Sequence, residues 1–287
     1  MKLLVTLENK DLFKKYIENG VDEIIVACKG HTFSSLNEFD LDTIQLVTEE
    51  AHKNDILVTV LMNRLYAQQD VKEACEVLDN IVQVCDYVMF ADPALLKYAK
   101  EKGFEHKLVY RPETLMTCSE DAKIWKGFGL HSVVIPSLLT KQEVVEIARV
   151  VKDTTVIIHG HTLMSVSKRK LISAYQHVTN KDFDIHDKSL SLKEKTRDTL
   201  MPVYENKYST LIYTDFIQES FEEMKEFMEA GVEYFEIDTV YMNDEMILDT
   251  IQVYRDILDD KQMDEGYLLK YKDLNMTDGY YGQKTVK

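Results

Sequence analysis

The sequence predicts an α/β fold, a (β/α)8 barrel of the TIM type. Three observations point there. Eight short β-branched runs recur along the chain, and each is apolar almost throughout, as parallel strands covered on both faces must be. Amphipathic stretches with helix-start signals separate them. The 287 residues also suit one such barrel, which typically needs about 250 or more.

The runs are 2–6 (KLLVT), 22–27 (DEIIVA), 56–61 (ILVTVL), 86–90 (DYVMF), 107–110 (KLVY), 132–135 (SVVI), 155–159 (TVIIH) and 233–237 (EYFEI). Asp92-Pro93 reads as an N-cap followed by proline in the first turn. Thr140 and Glu143 form a capping box ahead of Val144, Val145, Ile147, Ala148 and Val151. The segments 19–26 (NGVDEIIV) and 230–237 (AGVEYFEI) repeat one unit of helix end, glycine and strand. No GxGxxG or GxxxxGK[ST] follows a strand, which removes the main reason to prefer an open nucleotide-binding sheet.

The chain reads as one domain, 1–287. Interval 160–232 is too long for a helix and two loops, and is expected to be an insertion at the barrel mouth after strand seven. It holds a polar stretch (177–198), a hairpin (201–214) turning at Glu205, Asn206 and Lys207, and a helix over roughly 216–229. Residues 260–287 form a tail expected to pack on the barrel.

Composition is that of a globular protein, 45% hydrophobic and 29% charged. The net charge of −16 disfavours indiscriminate binding to nucleic acid or anionic lipid. A local basic cluster, Lys168, Arg169 and Lys170, reads equally as an RNA patch or a solvated helix face. After MKLLVTLENKD charge returns too early for a signal peptide, and no window approaches the ~18 apolar residues of a membrane span. Cys28, Cys75, Cys85 and Cys118 contain no CxxC pair and read as reduced thiols, so the expected location is the cytoplasm, with no membrane partner.

Barrel enzymes carry their chemistry at the strands' C-terminal ends. Here those positions hold Lys29, His31, Asn63, Arg64, Asp92, Arg111, Glu113, Ser137, His159, His161 and Asp238. In HGH (159–161) two histidines at i and i+2 on a strand share a face. They could bind one divalent metal with Asp238 as a further ligand; the competing reading makes His159 a hydrogen-bonded structural residue. Cys28 would need Lys29 or His31 to become a thiolate nucleophile. Neither GxSxG nor HExxH occurs.

The stretch 156–173, VIIHGHTLMSVSKRKLIS, resembles the signature of the collagenase-like peptidase family U32. His159, Gly160, Ser165, Ser167, Arg169, Leu171 and Ser173 match it. Leu163 and Lys170 occupy its two cysteine positions, and Thr155 replaces its glutamate. Downstream, 193–206 (KEKTRDTLMPVYEN) resembles the family's approach to a hairpin, again without cysteines.

The resemblance implies a barrel and a peptidase, a peptide-bond hydrolase of unassigned catalytic type. Its alternatives are a factor in RNA hydroxylation, at the tRNA wobble uridine, or a non-catalytic partner of a longer family member. In the hydrolase reading Glu113 or His159 is the general base. Arg111, Asn63, Ser165, Ser167, Arg169 and Asp238 then bind the ligand, a peptide or small anion; RNA is the partner in the alternative. Cysteine-complete members imply an iron–sulfur cluster, which the substitutions at 163 and 170 make an unsuitable expectation here. Arg111, Glu113 and His159 are expected to meet in one anion-binding pocket, unless Arg111 and Glu113 merely pair on the rim.

Overall fold

The structure, a computed structural model, describes residues 1–112, 116–195 and 198–283. Its strands are β1 (Lys2–Thr6), β2 (Glu23–Ala27), β3 (Leu57–Met62), β4 (Tyr87–Phe90), β5 (Leu108–Tyr110), β6 (Ser132–Ile135) and β7 (Thr154–Ser167). They continue with β8 (Ser191–Lys193), β9 (Leu200–Glu205), β10 (Thr210–Glu219), β11 (Tyr234–Ile237) and β12 (Met276–Thr277). Strands β1 to β7 pair in parallel in chain order, and β11 closes the barrel by pairing with both β7 and β1. All eight barrel strands fall on the eight apolar runs.

Alternation explains why those runs are apolar throughout. Leu4, Ile25, Leu61, Met89, Val109 and Val134 point inward and fill the barrel. Their neighbours, among them Leu3, Val5, Ile24, Val58, Val60, Val88 and Val133, point outward and are buried under the helices. Helix starts follow the sequence signals. Asp92 accepts a hydrogen bond from the Ala94 amide at the start of helix Pro93–Lys102. Thr140 and Glu143 complete a capping box on helix Lys141–Val150.

Departures concentrate after position 159. β7 continues to Ser167, and its far half pairs antiparallel with β10, which pairs in turn with β9. The hairpin turns where expected, with Asn206 Oδ1 accepting from the Tyr208 and Ser209 amides at 2.9 Å each. The helix expected from 216 begins only at Met224, because β10 is held by β7 on one side and β12 on the other. Helix Met224–Ala230 is the barrel helix preceding β11. The addition to the barrel is thus an antiparallel arm: the end of β7, helix Leu171–Thr179, and β8 to β10.

The tail packs down. Tyr267 and Tyr271 enter a cluster with Ile217, Met246 and Val253, and buried Tyr281 bonds to Ser220 and Gln218. No helix among the described residues is long and apolar enough to cross a membrane.

Candidate functional site

Arg111 follows β5 two residues after inward-facing Val109, so alternation turns it into the barrel. It is 1% exposed. One terminal nitrogen donates to Glu236 Oε1, and the other donates to Asp238 Oδ2 at 3.1 Å. Glu236 and Asp238 stand two apart on and just after β11, on the same inner side. The pairing is therefore a buried network rather than a rim salt bridge. Two carboxylates thus already engage the guanidinium that was expected to hold an anion. Glu113, the other half of the expected cluster, lies outside the described residues.

His159 does not join Arg111. Its ring is fully buried against Phe221, Tyr254 and Tyr267, and its two nitrogens lie 3.4 Å from the Tyr254 and Tyr267 hydroxyls. Burial, with nearby His161, pushes its pKa down to about 3. A sealed, neutral imidazole held this way is a structural residue.

His161 sits elsewhere. Its Nδ1 is 2.9 Å from the Thr214 carbonyl, its ring meets Tyr241 edge-on, and burial lowers its pKa. The shared-face expectation for the two histidines fails for a local reason. Gly160 has φ +131, and the β7–β11 register shifts between Glu236 and Ile237, so regular alternation stops there. Among the described residues no group of three His, Cys, Asp or Glu side chains is placed to hold a metal.

Other expected ligand residues divide between bracing and open positions. Asn63 is fully buried; its Oδ1 accepts from Thr32 Oγ1 at 2.9 Å, and its Nδ2 donates to Ser34 Oγ at 2.8 Å. It braces the loop after β2. Asp92 caps its helix and receives the Tyr66 amide at 2.8 Å, while His31 lies 3.1 Å from the Tyr66 hydroxyl. Cys28 is buried, which pushes its thiol up to about 12, against a thiolate role. Ser165 and Arg169 are exposed and Ser167 half-exposed, all on the arm.

Of the spaces at the mouth, two are bordered by several of the expected site residues. Arg111, Asp238, Ser137, His161 and Gln218 border a narrow cavity of about 20 Å3, room for a single water. The second is a cleft of about 450 Å3 between mouth and arm, lined by Phe33, Arg64, Tyr110, Ser165, Lys168 and Tyr208 among others. That is the size of a small-ligand site, and its mixture of aromatic walls and cations is the usual chemistry of one. The Arg64 guanidinium lies 3.6 Å from the Tyr208 ring centre, donates to the Gly30 carbonyl at 3.0 Å, and pairs with Asp70. Sequence reasoning missed Tyr208 and Phe33. Tyr208 reaches Arg64 only because the arm folds back over the mouth, and no local spacing signals that.

The signature cysteine positions carry no thiolate. Leu163 packs with Phe33, Leu211, Tyr213 and Val240, and Lys170 is exposed at the start of helix Leu171–Thr179. The four cysteines lie on separate elements, Cys28, Cys75 and Cys85 buried and Cys118 exposed. These residues do not fit a thiolate-held iron–sulfur cluster.

Comparison with known proteins gives three findings. The pattern of peptidase family U32 matches residues 8–285. The tRNA hydroxylation protein P2 of Bacillus subtilis (strain 168) is 28% identical over 264 residues, covering 90% of this chain and 85% of that protein. The tRNA hydroxylation protein P of Haemophilus influenzae (strain ATCC 51907 / DSM 11121 / KW20 / Rd) is 25% identical over 142 residues, 48% of this chain and 31% of that protein. Among solved structures, the U32 peptidase Mk0906 superposes with a TM-score of 0.50 at 13% identity, over 83% of this chain and 92% of that one.

Proposed function

The chain belongs to peptidase family U32, and from that premise we propose that it acts in tRNA hydroxylation rather than in peptide-bond hydrolysis. The observation that carries this reading is the similarity, over most of both chains, to the tRNA hydroxylation protein of Bacillus subtilis. The barrel mouth supports it from the chemical side. Arg111, an expected ligand-binding residue, is paired with Glu236 and Asp238, and His159, an expected base, is sealed behind tyrosines.

The cleft of about 450 Å3 is the place in this reading where a nucleoside is held. The Arg64–Tyr208 stack offers a flat surface to a base, with buried Tyr110 and Phe33 showing only their edges to the cleft, while Ser165 and Lys168 offer hydrogen bonds to its polar edges or its phosphate. The sequence-level expectation of the wobble uridine as target belongs to the same proposal.

The test is nucleoside mass spectrometry of bulk tRNA from cells with and without the gene, complemented by wild type or by Ser165→Trp, which fills the cleft. Loss of hydroxylated uridine on deletion, restored by wild type and not by the filled cleft, is expected. Unchanged tRNA on deletion, together with cleavage of peptides by the pure protein, would return the chain to the hydrolases.

A further inference from the structure

Of the basic triplet of the arm, the reading above uses Lys168 alone. From residue 168 to 195 the chain carries seven Lys and Arg against four Asp and Glu, within a protein of net charge −16. This stretch of the arm is thus locally cationic on an acidic body. At its corner Lys168, Arg169 and Lys170 follow one another, all exposed, and among the described residues none of the three is ion-paired. Lys168 also lines the cleft.

The backbone at this corner is fixed. Buried Glu205 accepts from the Ile172 amide at 2.8 Å, from the Ser173 amide at 3.3 Å and from Thr210 Oγ1 at 3.1 Å. Thr210 Oγ1 shares its one proton between Glu205 and the Arg169 carbonyl, 2.8 Å away, and accepts from the Leu171 amide at 2.9 Å, while Ser167 Oγ accepts from the Arg169 amide at 3.2 Å. Glu205 thereby occupies the start of helix Leu171–Thr179, so an anion arriving here meets side-chain cations, not a bare helix end. Three unpaired cations on a braced corner, beside a nucleoside-sized cleft, have a geometry that suits a sugar–phosphate backbone.

We propose that Lys168, Arg169 and Lys170 dock the phosphates of an RNA strand and so present one of its nucleosides to the cleft. The proposal rests on the tRNA reading and deepens it. Because the body of the protein repels polyanions, this corner should supply a large share of the affinity and of its salt dependence.

The experiment measures binding of an unmodified tRNA transcript over a range of salt. It compares wild type, K168Q/R169Q/K170Q, the single variant Arg169→Gln, and a control of equal charge change on the barrel outside the arm, K10Q/K14Q/K15Q. The triple variant should bind roughly tenfold or more weaker near physiological salt, and its salt slope should fall by about one unit for each phosphate no longer neutralised. Arg169→Gln should show one third of that slope change, which keeps the test alive if the triple variant misfolds. The control should bind as wild type.

Equal slopes for wild type and both corner variants, or a wild type that prefers phosphatidylglycerol vesicles to RNA, would overturn the proposal. Nucleoside analysis separates the two failures. If deletion abolishes hydroxyuridine yet the triple variant binds normally, the docking corner alone is wrong. If the corner governs RNA binding but deletion leaves hydroxyuridine intact, the hydroxylation reading falls and the RNA surface stands.

Discussion

Arg111 reaches from the end of β5 into the barrel to meet Glu236 on β11, 125 positions further along the chain. The contact ties opposite walls of the barrel at the level where a ligand would otherwise enter. It turns a residue with the sequence signature of an anion hook into an internal strut.

Removing the strut should therefore be felt first in stability. Arg111→Ala leaves Glu236 and Asp238 buried without the guanidinium they share. Breaking such a buried pair costs about 3–5 kcal/mol, far above the roughly 0–1 kcal/mol of an exposed pair. Urea unfolding should show a loss of that size, with partial recovery when Glu236→Gln is added. An Arg111→Ala protein as stable as wild type would return Arg111 to the rim.

A second buried carboxylate gives a pH signature. Glu23 faces into the other end of the barrel, receives Thr59 Oγ1 at 2.5 Å, and burial pushes its pKa up to about 7. A carboxyl raised in the folded state keeps its proton while the unfolded chain loses one. Stability thus falls as pH rises from the ordinary glutamate range to about 7, and is level above. The drop is about 3 kcal/mol for a shift of this size. Glu23→Gln should match wild type at pH 5 and exceed it at pH 8 by that amount in urea unfolding; parallel profiles would refute the assignment.

The eight barrel strands are legible in the sequence because burial on both faces writes itself as unbroken apolar runs. The caps at Asp92 and Thr140 are legible because each is a contact between near neighbours. The arm is only half legible. Residues 216–229 carry a helix-like spacing, yet Phe216 to Glu219 are strand because β7 and β12 supply partners from 50 or more positions away. Of the site, Arg64 can be read from its place after a strand, Ser165 from the family resemblance and Lys168 from the basic run. The Arg111–Glu236–Asp238 network and the Tyr208 wall cannot, since each depends on where distant segments land.

Leu163 and Lys170 bear on cofactor content. An apolar side chain packed among Phe33, Leu211 and Tyr213 and a solvent-facing lysine cannot supply the thiolates a cluster needs. Protein purified anaerobically should lack stoichiometric iron and acid-labile sulfide, before and after incubation with ferrous iron and sulfide. Leu163→Cys with Lys170→Cys should not suffice to create a cluster, because Cys28, Cys75, Cys85 and Cys118 sit on separate elements. A sulfur-to-iron charge-transfer band in the wild-type protein would contradict this.

Gly160 decides how the HGH segment is used. Its φ of +131 is a conformation that side-chain-bearing residues avoid, and a Cβ built there would stand 2.2 Å from the Asp238 carbonyl oxygen. The backbones of β7 and the end of β11 approach this closely because the Asp238 amide donates to the His159 carbonyl at 2.9 Å. The same turn of the chain sends His159 to its tyrosines and His161 to the mouth. Gly160→Ala must push the two segments apart, which loosens the Asp238 arm of the Arg111 network and the tyrosine box around His159 together. The strain alone costs of order 1–3 kcal/mol, and the clash adds to it, so the variant should unfold at clearly lower urea than wild type. Chemical shifts of the His159 ring should move in the same sample. Gly103→Ala, also at positive φ but with open space around its Cβ, should incur only the backbone cost and leave that ring unchanged. If Gly160→Ala is no worse than Gly103→Ala, the close approach at Asp238 is not what holds the segment.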